Sequence, residues 1–431
     1  MPKVVPYTKG SVIFFAGDKD ERIFILQTGK VILKSADLVT GEILSETLTA
    51  GEFFGIKSAL ARRPRIETAS ASTDIQLVML STQEFERIFS ANKAVISKML
   101  TVFTKTLGEL YAKTESMLHL TRASMQPEEG MIALAKVFFD SFQYRSCVSE
   151  CELILRTFPQ TEHKAELEKL RDEAENLSAG QAAGQDLGLG DSSQNESEKS
   201  ALSQFSLPVF SRFRKEYSDG SVIISEFMEP NHFYFIQSGK VQVKRCVNGT
   251  LKNLELLEAG NLFGVRAIIS GGKLRDVCCI AKGTVQCLEF AKENFNAIVT
   301  GNPHMSALML KLVCKRIYDQ RRQLTVLGIP DLSVRIADVF LMYNELYYVP
   351  PKLEPGTEES LCRKFFITVD DVACWAALSP DAARDELNKY VSRKKLDIYD
   401  SYMIIGNIMD MKRTVDSWYQ NKETAAQPQK N

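Results

Sequence analysis

The sequence predicts an α+β multidomain chain: two small antiparallel β-sandwiches or barrels, each followed by a long helix, with a helical insert between them and a helical module with a β-hairpin at the end. Three observations predict it. First, the chain repeats itself. Tyr7, Gly10, Ser11, Val12 and Ile13 recur as Tyr217, Gly220, Ser221, Val222 and Ile223, and Gln27, Gly29, Lys30 and Val31 recur as Gln237, Gly239, Lys240 and Val241, both at an offset of 210. Second, short strand-like runs such as SVIFFAGD, RIFILQTGKVILKS and DIQLVMLS alternate with turns, the spacing of a small all-β unit. Third, apolar residues after each copy fall at helical spacing.

Size and composition set the outer limits. With 431 residues and 45% hydrophobic content the chain has room for about three domains, each with its own core. Its 53 basic and 54 acidic residues leave a net charge of -1, so contact with nucleic acid or an anionic membrane requires a local patch. No apolar run reaches the ~18 residues of a membrane span, and MPKVVPYTKG lacks the apolar core of a signal peptide, so a cytoplasmic location with no membrane partner is expected. The nine cysteines are scattered and read as reduced structural residues. Cys147 and Cys151 could share a helix face, but no second Cys or His pair lies near them and no metal site is expected. Four histidines (His119, His163, His232, His304) sit in unrelated contexts with no nucleophile, base and acid grouped. The expectation is no enzyme and no cofactor.

The repeated stretch richest in chemistry runs GEFFGIKSALARRPRIETASA from Gly51 to Ala71 and GNLFGVRAIISGGKLRDVCCIA from Gly260 to Ala281. Each copy places Phe-Gly (Phe54-Gly55, Phe263-Gly264) before a short helical segment, a cation two residues after the glycine (Lys57, Arg266) and an arginine further on (Arg65, Arg275). Glycine lets a backbone approach closely, a helix start offers unpaired N–H groups, and arginine can close on an anion. A surface turn with solvated charges is the competing reading of one copy, and duplication in matched surroundings weakens it.

These residues resemble the cyclic-nucleotide-binding domain of catabolite-activator (Crp/Fnr)-type regulators and kinase regulatory subunits, over roughly residues 6–118 and 205–325. The resemblance implies jelly-roll sandwiches in which the segment after Phe-Gly is a phosphate-binding cassette. It carries ligand contact to Phe54, Gly55, Lys57, Ser58, Arg65 and Thr68 in the first copy and to Phe263, Gly264, Arg266 and Arg275 in the second. The family's ribose-binding glutamate is missing: Ile56 and Val265 stand there. Losing one charge-assisted hydrogen bond weakens binding by roughly ten- to a hundredfold. The ligand is therefore not an ordinary cyclic mononucleotide, or the pockets are weak, or one of them is only structural. The second copy diverges further, with Phe227 where the first has Gly17 in a turn.

After the first sandwich, Ser81 to Glu84 is a capping box, followed by a helix with Ile96, Met99, Phe103, Leu107, Leu110 and Tyr111 on one face. Residues 119–176 read as amphipathic helices broken at Pro159; Leu134, Ala135, Phe138, Cys147 and Ile154 fall on tetratricopeptide (TPR) spacing. A single such repeat is read as a spacer that docks on a sandwich or binds a partner. Residues 177–204 read as a flexible linker. A second long helix, Pro303 to Thr325, follows the second sandwich, with Met305, Leu308, Met309, Leu312, Val313 and Ile317 on one face. The two long helices could pair within one chain as a pseudo-dimer or across a homodimer.

From residue 327 to 417 two helices, a tight turn and a hairpin resemble the family's winged helix-turn-helix, with Ser379 as N-cap and Pro380 at N1 of the reading helix. Candidate DNA contacts are Ser379, Arg384, Lys389, Arg393, Lys394 and Lys395, while Asp381 and Asp385 oppose phosphate contact and Ala377 replaces the usual turn glycine. Residues 418–431 are expected to be a disordered tail, leaving domains at 1–118, 119–176, 205–326 and 327–417. The leading expectation is a regulator of transcription whose cassettes bind a cyclic nucleotide or a related small anion. The competing one is a scaffold with ligand-free domains and no DNA binding.

Overall fold

The computed structural model describes residues 3–90, 92–118, 125–180, 202–203, 205–247, 249–269, 271–295, 297, 303–348 and 360–426. It divides into two compact units, Met1–Lys113 with Phe290–Leu324, and Thr114–Glu289 with Thr325–Asn431.

The first copy runs β1 (Lys3–Tyr7), β2 (Val12–Phe14), β3 (Ile23–Thr28), β4 (Val31–Ala36), β5 (Ile43–Leu48), β6 (Phe53–Phe54), α1 (Ile56–Ala61), β7 (Thr68–Ala71), β8 (Ile75–Leu80), α2 (Thr82–Ser90) and α3 (Lys93–Met117). The strands form two four-stranded antiparallel sheets, β1-β8-β3-β6 and β2-β7-β4-β5. Phe14, Phe24, Leu26, Val31, Phe54 and Leu77 fill the core. Gly29, at a φ of 86°, turns the chain from β3 into β4; a Cβ there would lie 2.4 Å from the Asp74 carbonyl. Ser81 and Glu84 cap α2 reciprocally, Ser81 N–H donating to Glu84 Oε2 (3.0 Å) and Glu84 N–H to Ser81 Oγ (3.2 Å).

Then come α4 (Pro127–Asp140), α5 (Tyr144–Thr157) and α6 (Lys164–Ser178). The second copy repeats the sandwich as β9 (Arg214–Tyr217), β10 (Val222–Ile224), β11 (His232–Val247), β12 (Thr250–Glu258), β13 (Leu262–Phe263), α7 (Val265–Ile269) and β14 (Cys278–Ala291). Here β11 and β14 are continuous through Gly239 (φ 85°) and Gly283 (φ 69°), where the first copy breaks into β3/β4 and β7/β8. One six-stranded sheet therefore results, in the order β10-β14-β11-β12 with β9 and β13 paired to β14 and β11.

The chain ends with α8 (Pro303–Leu327), α9 (Leu332–Tyr347), β15 (Arg363–Phe365), α10 (Val369–Ala376), α11 (Pro380–Ser392), β16 (Leu396–Ile398), β17 (Met403–Ile405) and α12 (Ile408–Ala426). Although α8 follows the second sandwich, most of it belongs to the first unit. There Lys311 pairs with Glu86 (2.5 Å) and the Tyr318 hydroxyl donates to the Pro64 carbonyl (2.8 Å). Of the stripe read from the sequence, Met305, Leu308, Met309, Leu312 and Ile317 are buried and Val313 is half-buried, and Cys314, Lys315, Asp319, Gln320 and Gln323 are buried on other faces. A helix buried on several sides is enclosed rather than laid on a surface.

Within the second unit, helices α4–α6 share a core with the outer face of the second sandwich, through Phe138, Cys147 and Ile154 against Val222, Cys278 and Ile280. The matching outer residues of the first copy are Val12, Thr68 and Ser70, and Val12 is 40% exposed. Where the covered sheet carries Cys278 and Ile280 outside, the other carries the polar Thr68 and Ser70. Phe227 sits at a φ of 69° in the turn that uses Gly17 in the first copy, and its ring lies against Gly130 of α4. Glu150 is fully buried at this seam and accepts from Ser225 Oγ (2.5 Å); burial pushes its carboxyl up to about 8.

The C-terminal module has its own core of Phe340, Trp375, Leu387, Met403 and Met411 around the three-stranded sheet β15-β17-β16. It meets the second sandwich through Asp371, 1% exposed, which takes Lys282 (2.8 Å) and Lys240 (3.2 Å). These ammonium groups overcome the burial penalty and hold its carboxyl down at about 2.

Two expectations are corrected. Residues 418–426, expected in a disordered tail, are helical because α12 packs Met411 and Val415, with Trp418 beside them, against the module core. The linker expected at 177–204 is shorter: α6 continues to Ser178, and Leu202 packs on the second sandwich; residues 181–201 and 204 lie outside the described residues. Among the described residues no helix is long and apolar enough to cross a membrane, and no cluster of metal-ligating side chains occurs. The described cysteines form no disulfide, and Cys147 and Cys151 lie in the α4–α6 core.

Candidate ligand site in the first sandwich

Gly55 explains the Phe-Gly signature. Its φ is 74°, and a Cβ would come within 2.5 Å of an Arg65 guanidinium nitrogen, so only glycine fits. Phe54 stacks on Phe24 with centroids 5.1 Å apart, anchoring the turn in the core. The one-and-a-half-turn helix α1 then buries Ile56, Ser58, Ala59 and Leu60.

Arg65 enters the sandwich. It is 3% exposed, and donates from Nη1 to the Gly55 carbonyl and to Ser58 Oγ (both 2.7 Å) and from Nη2 to the Arg22 carbonyl (2.5 Å). Asp20 pairs with it at 3.0 Å, and its guanidinium lies 4.4 Å from the Phe14 ring centroid. Arg275 repeats the arrangement, donating to the Gly264 carbonyl (2.5 Å) and to the His232 carbonyl, with Pro230 at the position of Asp20. Burial lowers the pKa of both guanidinium groups. In both copies the arginine therefore closes on the cassette's own backbone. Thr68 is likewise engaged, its hydroxyl accepting from Ala16 N–H (3.0 Å).

A cavity of about 260 Å³ opens beside the first cassette. Leu33 and Ser35 of β4, Leu44 of β5, Lys57, Glu67, Lys113 of α3 and Ile317 and Arg321 of α8 line it; Arg65 does not. Both of its lysines are held by acids around it, Lys57 by Glu67 at 2.5 Å and Lys113 by Asp37. The lysine ammonium holds the Asp37 carboxyl well below the usual carboxylate range. Exchangeable ion pairs of this kind can release a cation to an entering anion and keep a carboxylate as acceptor for its hydroxyl or amine groups. Both long helices thus reach one cavity within one chain, and the Arg316 guanidinium stands 5.7 Å from the Tyr111 ring centroid.

In the second copy larger or paired side chains stand at the matching positions. Arg245 occupies the place of Ser35, is 4% exposed and pairs with Glu115 at 2.6 Å. Arg266, matching Lys57, pairs with Asp276. Phe263 is buried and stacked on Tyr234 at 4.9 Å.

The candidate DNA contacts are dispersed. Ser379 caps α11 by accepting from Ala382 N–H (3.2 Å), Arg384 is exposed, and Lys389 is bonded to Glu386 (2.6 Å). Arg393 and Lys394 are exposed at the far end and Lys395 pairs with Asp410 (3.5 Å). Asp381 and Asp385 are both exposed, and Ala377 holds the turn at a φ of 52°, where glycine costs least. Asp20, Glu67, Lys113 and Arg321 escaped the sequence reading; only the spacing of Glu67, two residues past Arg65, offered a signal.

Two segments, residues 4–92 and 214–302, match the cyclic nucleotide-binding domain family. The chain carries two cyclic nucleotide-binding domains. A stretch of 100 residues is 37% identical to the cGMP-dependent 3',5'-cGMP phosphodiesterase A of Dictyostelium discoideum, covering 23% of this chain and 11% of that protein. A stretch of 127 residues is 24% identical to the cAMP-activated global transcriptional regulator CRP of Haemophilus influenzae, covering 29% of this chain and 57% of the regulator. The chain thus spans 11% and 57% of the length of these two relatives. Among solved structures, a CRP-family transcriptional regulator of Thermus thermophilus is 15% identical over 47% of this chain and 96% of its own, with a TM-score of 0.36.

Proposed function

We propose that this protein is a cytoplasmic, ligand-responsive regulator of transcription in which the first cyclic nucleotide-binding domain senses and the second is structural. The observation that carries the reading is the cavity shared by the first sandwich, α3 and α8. A cyclic nucleotide or related small anion held there by Lys57, Lys113 and Arg321 contacts both long helices at once. To act as a switch it must bind one arrangement of those helices better than another. The output follows from connectivity: α8 runs through Gly328 to Asp331 into α9, the first helix of a module read as a winged helix-turn-helix. On DNA, Ser379 and Arg384 lie toward the bases and Arg393 and Lys394 toward phosphates. The buried Arg65 and Arg275 are read as struts of the cassettes, and α4–α6 as a TPR-like brace. The two long helices act as an intramolecular pseudo-dimer.

Calorimetric titration with cAMP, cGMP and cyclic dinucleotides tests the sensing half, and DNA binding to genomic fragments with and without ligand tests the output. A steep salt slope with sequence preference is expected, and a flat response removes the transcriptional reading. A scaffold with ligand-free domains is the second reading, favoured by the two exposed aspartates on α11. It predicts no ligand and no DNA in the same assays.

A further inference from the structure

Within the second unit, the outer face of the sandwich, the α4–α5 turn and the start of α11 enclose a cleft of about 900 Å³. It lies on the opposite face of the sheet from the cassette, since its strand residues Gln242 and Lys244 alternate with Val241 and Val243 of the sandwich core. We propose that this cleft is a second ligand site, separate from both cassettes, which takes a small anion bearing phosphate or carboxylate groups.

Lys244 is the first argument. It is 8% exposed, and its ammonium donates to Gln143 Oε1 (2.9 Å), another residue of the cleft wall, so its head group lies at that wall. Among the described residues no carboxylate lies within ion-pair distance of it. A buried ammonium with no ion-pair partner is costly even with the Asp370 carboxylate acting on it from beyond that distance, and an anion in the cleft would supply a direct one. Desolvation accordingly lowers its pKa. Lys34, the matching residue of the first copy, is exposed on the uncovered face. The covering elements thus create the burial, and lysine persists beneath them.

The rest of the wall suits the same chemistry. Lys252 is exposed at the cleft and Lys282 lines it, while Gln242, Asn253 and Ser379 add neutral hydrogen-bonding groups. Two of the three acids on the wall are already near cations: Asp219 pairs with Arg145 (2.6 Å), and Asp370 lies 3.8 Å from Lys282. The volume falls in the range of about 300–1,000 Å³ that accommodates a small metabolite. An anion here also touches Ser379 at the start of α11, so occupancy bears directly on that helix.

The test is calorimetry on the full chain with inorganic pyrophosphate and with citrate, comparing wild type, Lys252→Ala, Lys244→Met and Lys57→Ala. Saturable binding of at least one probe is expected, weakened about ten- to a hundredfold by Lys252→Ala and by Lys244→Met and unchanged by Lys57→Ala. The probe that binds separates phosphate from carboxylate chemistry. Without ligand, Lys244→Met should melt at or above the wild-type temperature, because an uncompensated buried charge has been removed. Absence of saturable binding of both probes, equal affinity in Lys252→Ala and wild type, or a destabilised Lys244→Met with pyrophosphate binding intact overturns the proposal. Lys252 is exposed, so its variant decides even if Lys244→Met fails to fold.

Discussion

Arg65→Ala separates a strut from a ligand contact. Truncation removes an ion pair to Asp20, the donors to the Gly55 and Arg22 carbonyls and to Ser58, and the cation over Phe14, all inside the sandwich. Removing one partner of a buried pair costs about 3–5 kcal/mol, and the loss here lies toward the lower end because Asp20 keeps its pair with Arg22 at 2.8 Å. Small domains are stable by about 5–15 kcal/mol in total, so the first unit should lose a large share of its stability. At about 2–4 °C per kcal/mol for a unit of this size, the melting temperature should fall by roughly 10 °C. Arg65→Lys keeps the charge but has no planar fork to reach two carbonyls, and should recover less than half of the loss. Arg275→Ala should cost less, since Pro230 stands where Asp20 would be. The assay can resolve the units, because both tryptophans, Trp375 and Trp418, lie in the second one. Circular dichroism and hydrogen exchange in β3 and β7 should register the loss, while tryptophan fluorescence should register little. An Arg65→Ala protein with unchanged melting and exchange but lost ligand binding would refute the reasoning and return Arg65 to the ligand.

Three further outcomes are expected. Asp371→Ala removes the partner shared by Lys282 and Lys240, which keep Asp370 (3.8 Å) and Glu258 (3.3 Å), and removes the Thr368 capping partner, so the C-terminal module should loosen at a cost toward the lower end of about 3–5 kcal/mol, seen as faster limited proteolysis around residues 327–368. Glu150 holds its proton in the folded chain up to about pH 8, whereas the unfolded chain releases it near pH 4.3. Stability should therefore fall as pH rises through that window, by at most about 1.4 kcal/mol per pH unit from this group. Glu150→Gln should flatten that part of the slope in urea denaturation at pH 6 and pH 8.5, leaving the contribution of Glu226, also pushed up to about 8 by burial. Gly130→Ala should destabilise the α4–α6 seam, because the new Cβ would meet the Phe227 ring at 2.5 Å, although alanine ordinarily favours a helix by about 1 kcal/mol. In a Phe227→Gly background the sign should reverse, and additive effects would remove the contact from the account.

The repeat made much of the fold legible, because Gly-Ser-Val-Ile, Gln-x-Gly-Lys-Val and Phe-Gly mark turns that only particular backbones allow; Gly55 at a φ of 74° is an example. The start of α11 was legible through Ser379-Pro380, since cap chemistry is local. Arg65 was found as a residue but not as a strut: its acceptor at Arg22 lies 43 positions away, and no local pattern reports where a guanidinium turns. Arg321 was illegible as a cavity residue, because α8 reaches the first sandwich across contacts as distant as Tyr318 to Pro64, 254 positions apart. The docking of α4–α6 left a signal that comparing the copies exposes: Ser70 becomes Ile280, Thr68 becomes Cys278 and Gly17 becomes Phe227. Each change makes sense only once a cover lies over the second sheet.

The most direct test of the central claim is calorimetric titration of the full chain with cAMP, cGMP and cyclic dinucleotides, in wild type, Lys57→Ala, Arg321→Ala and Arg266→Ala. One cassette site per chain is predicted, weakened about tenfold or more by Lys57→Ala and Arg321→Ala and untouched by Arg266→Ala. Two equivalent sites, a site lost with Arg266 but not with Arg321, or no binding of any of these ligands would contradict a sensor built on the first cassette and the two long helices.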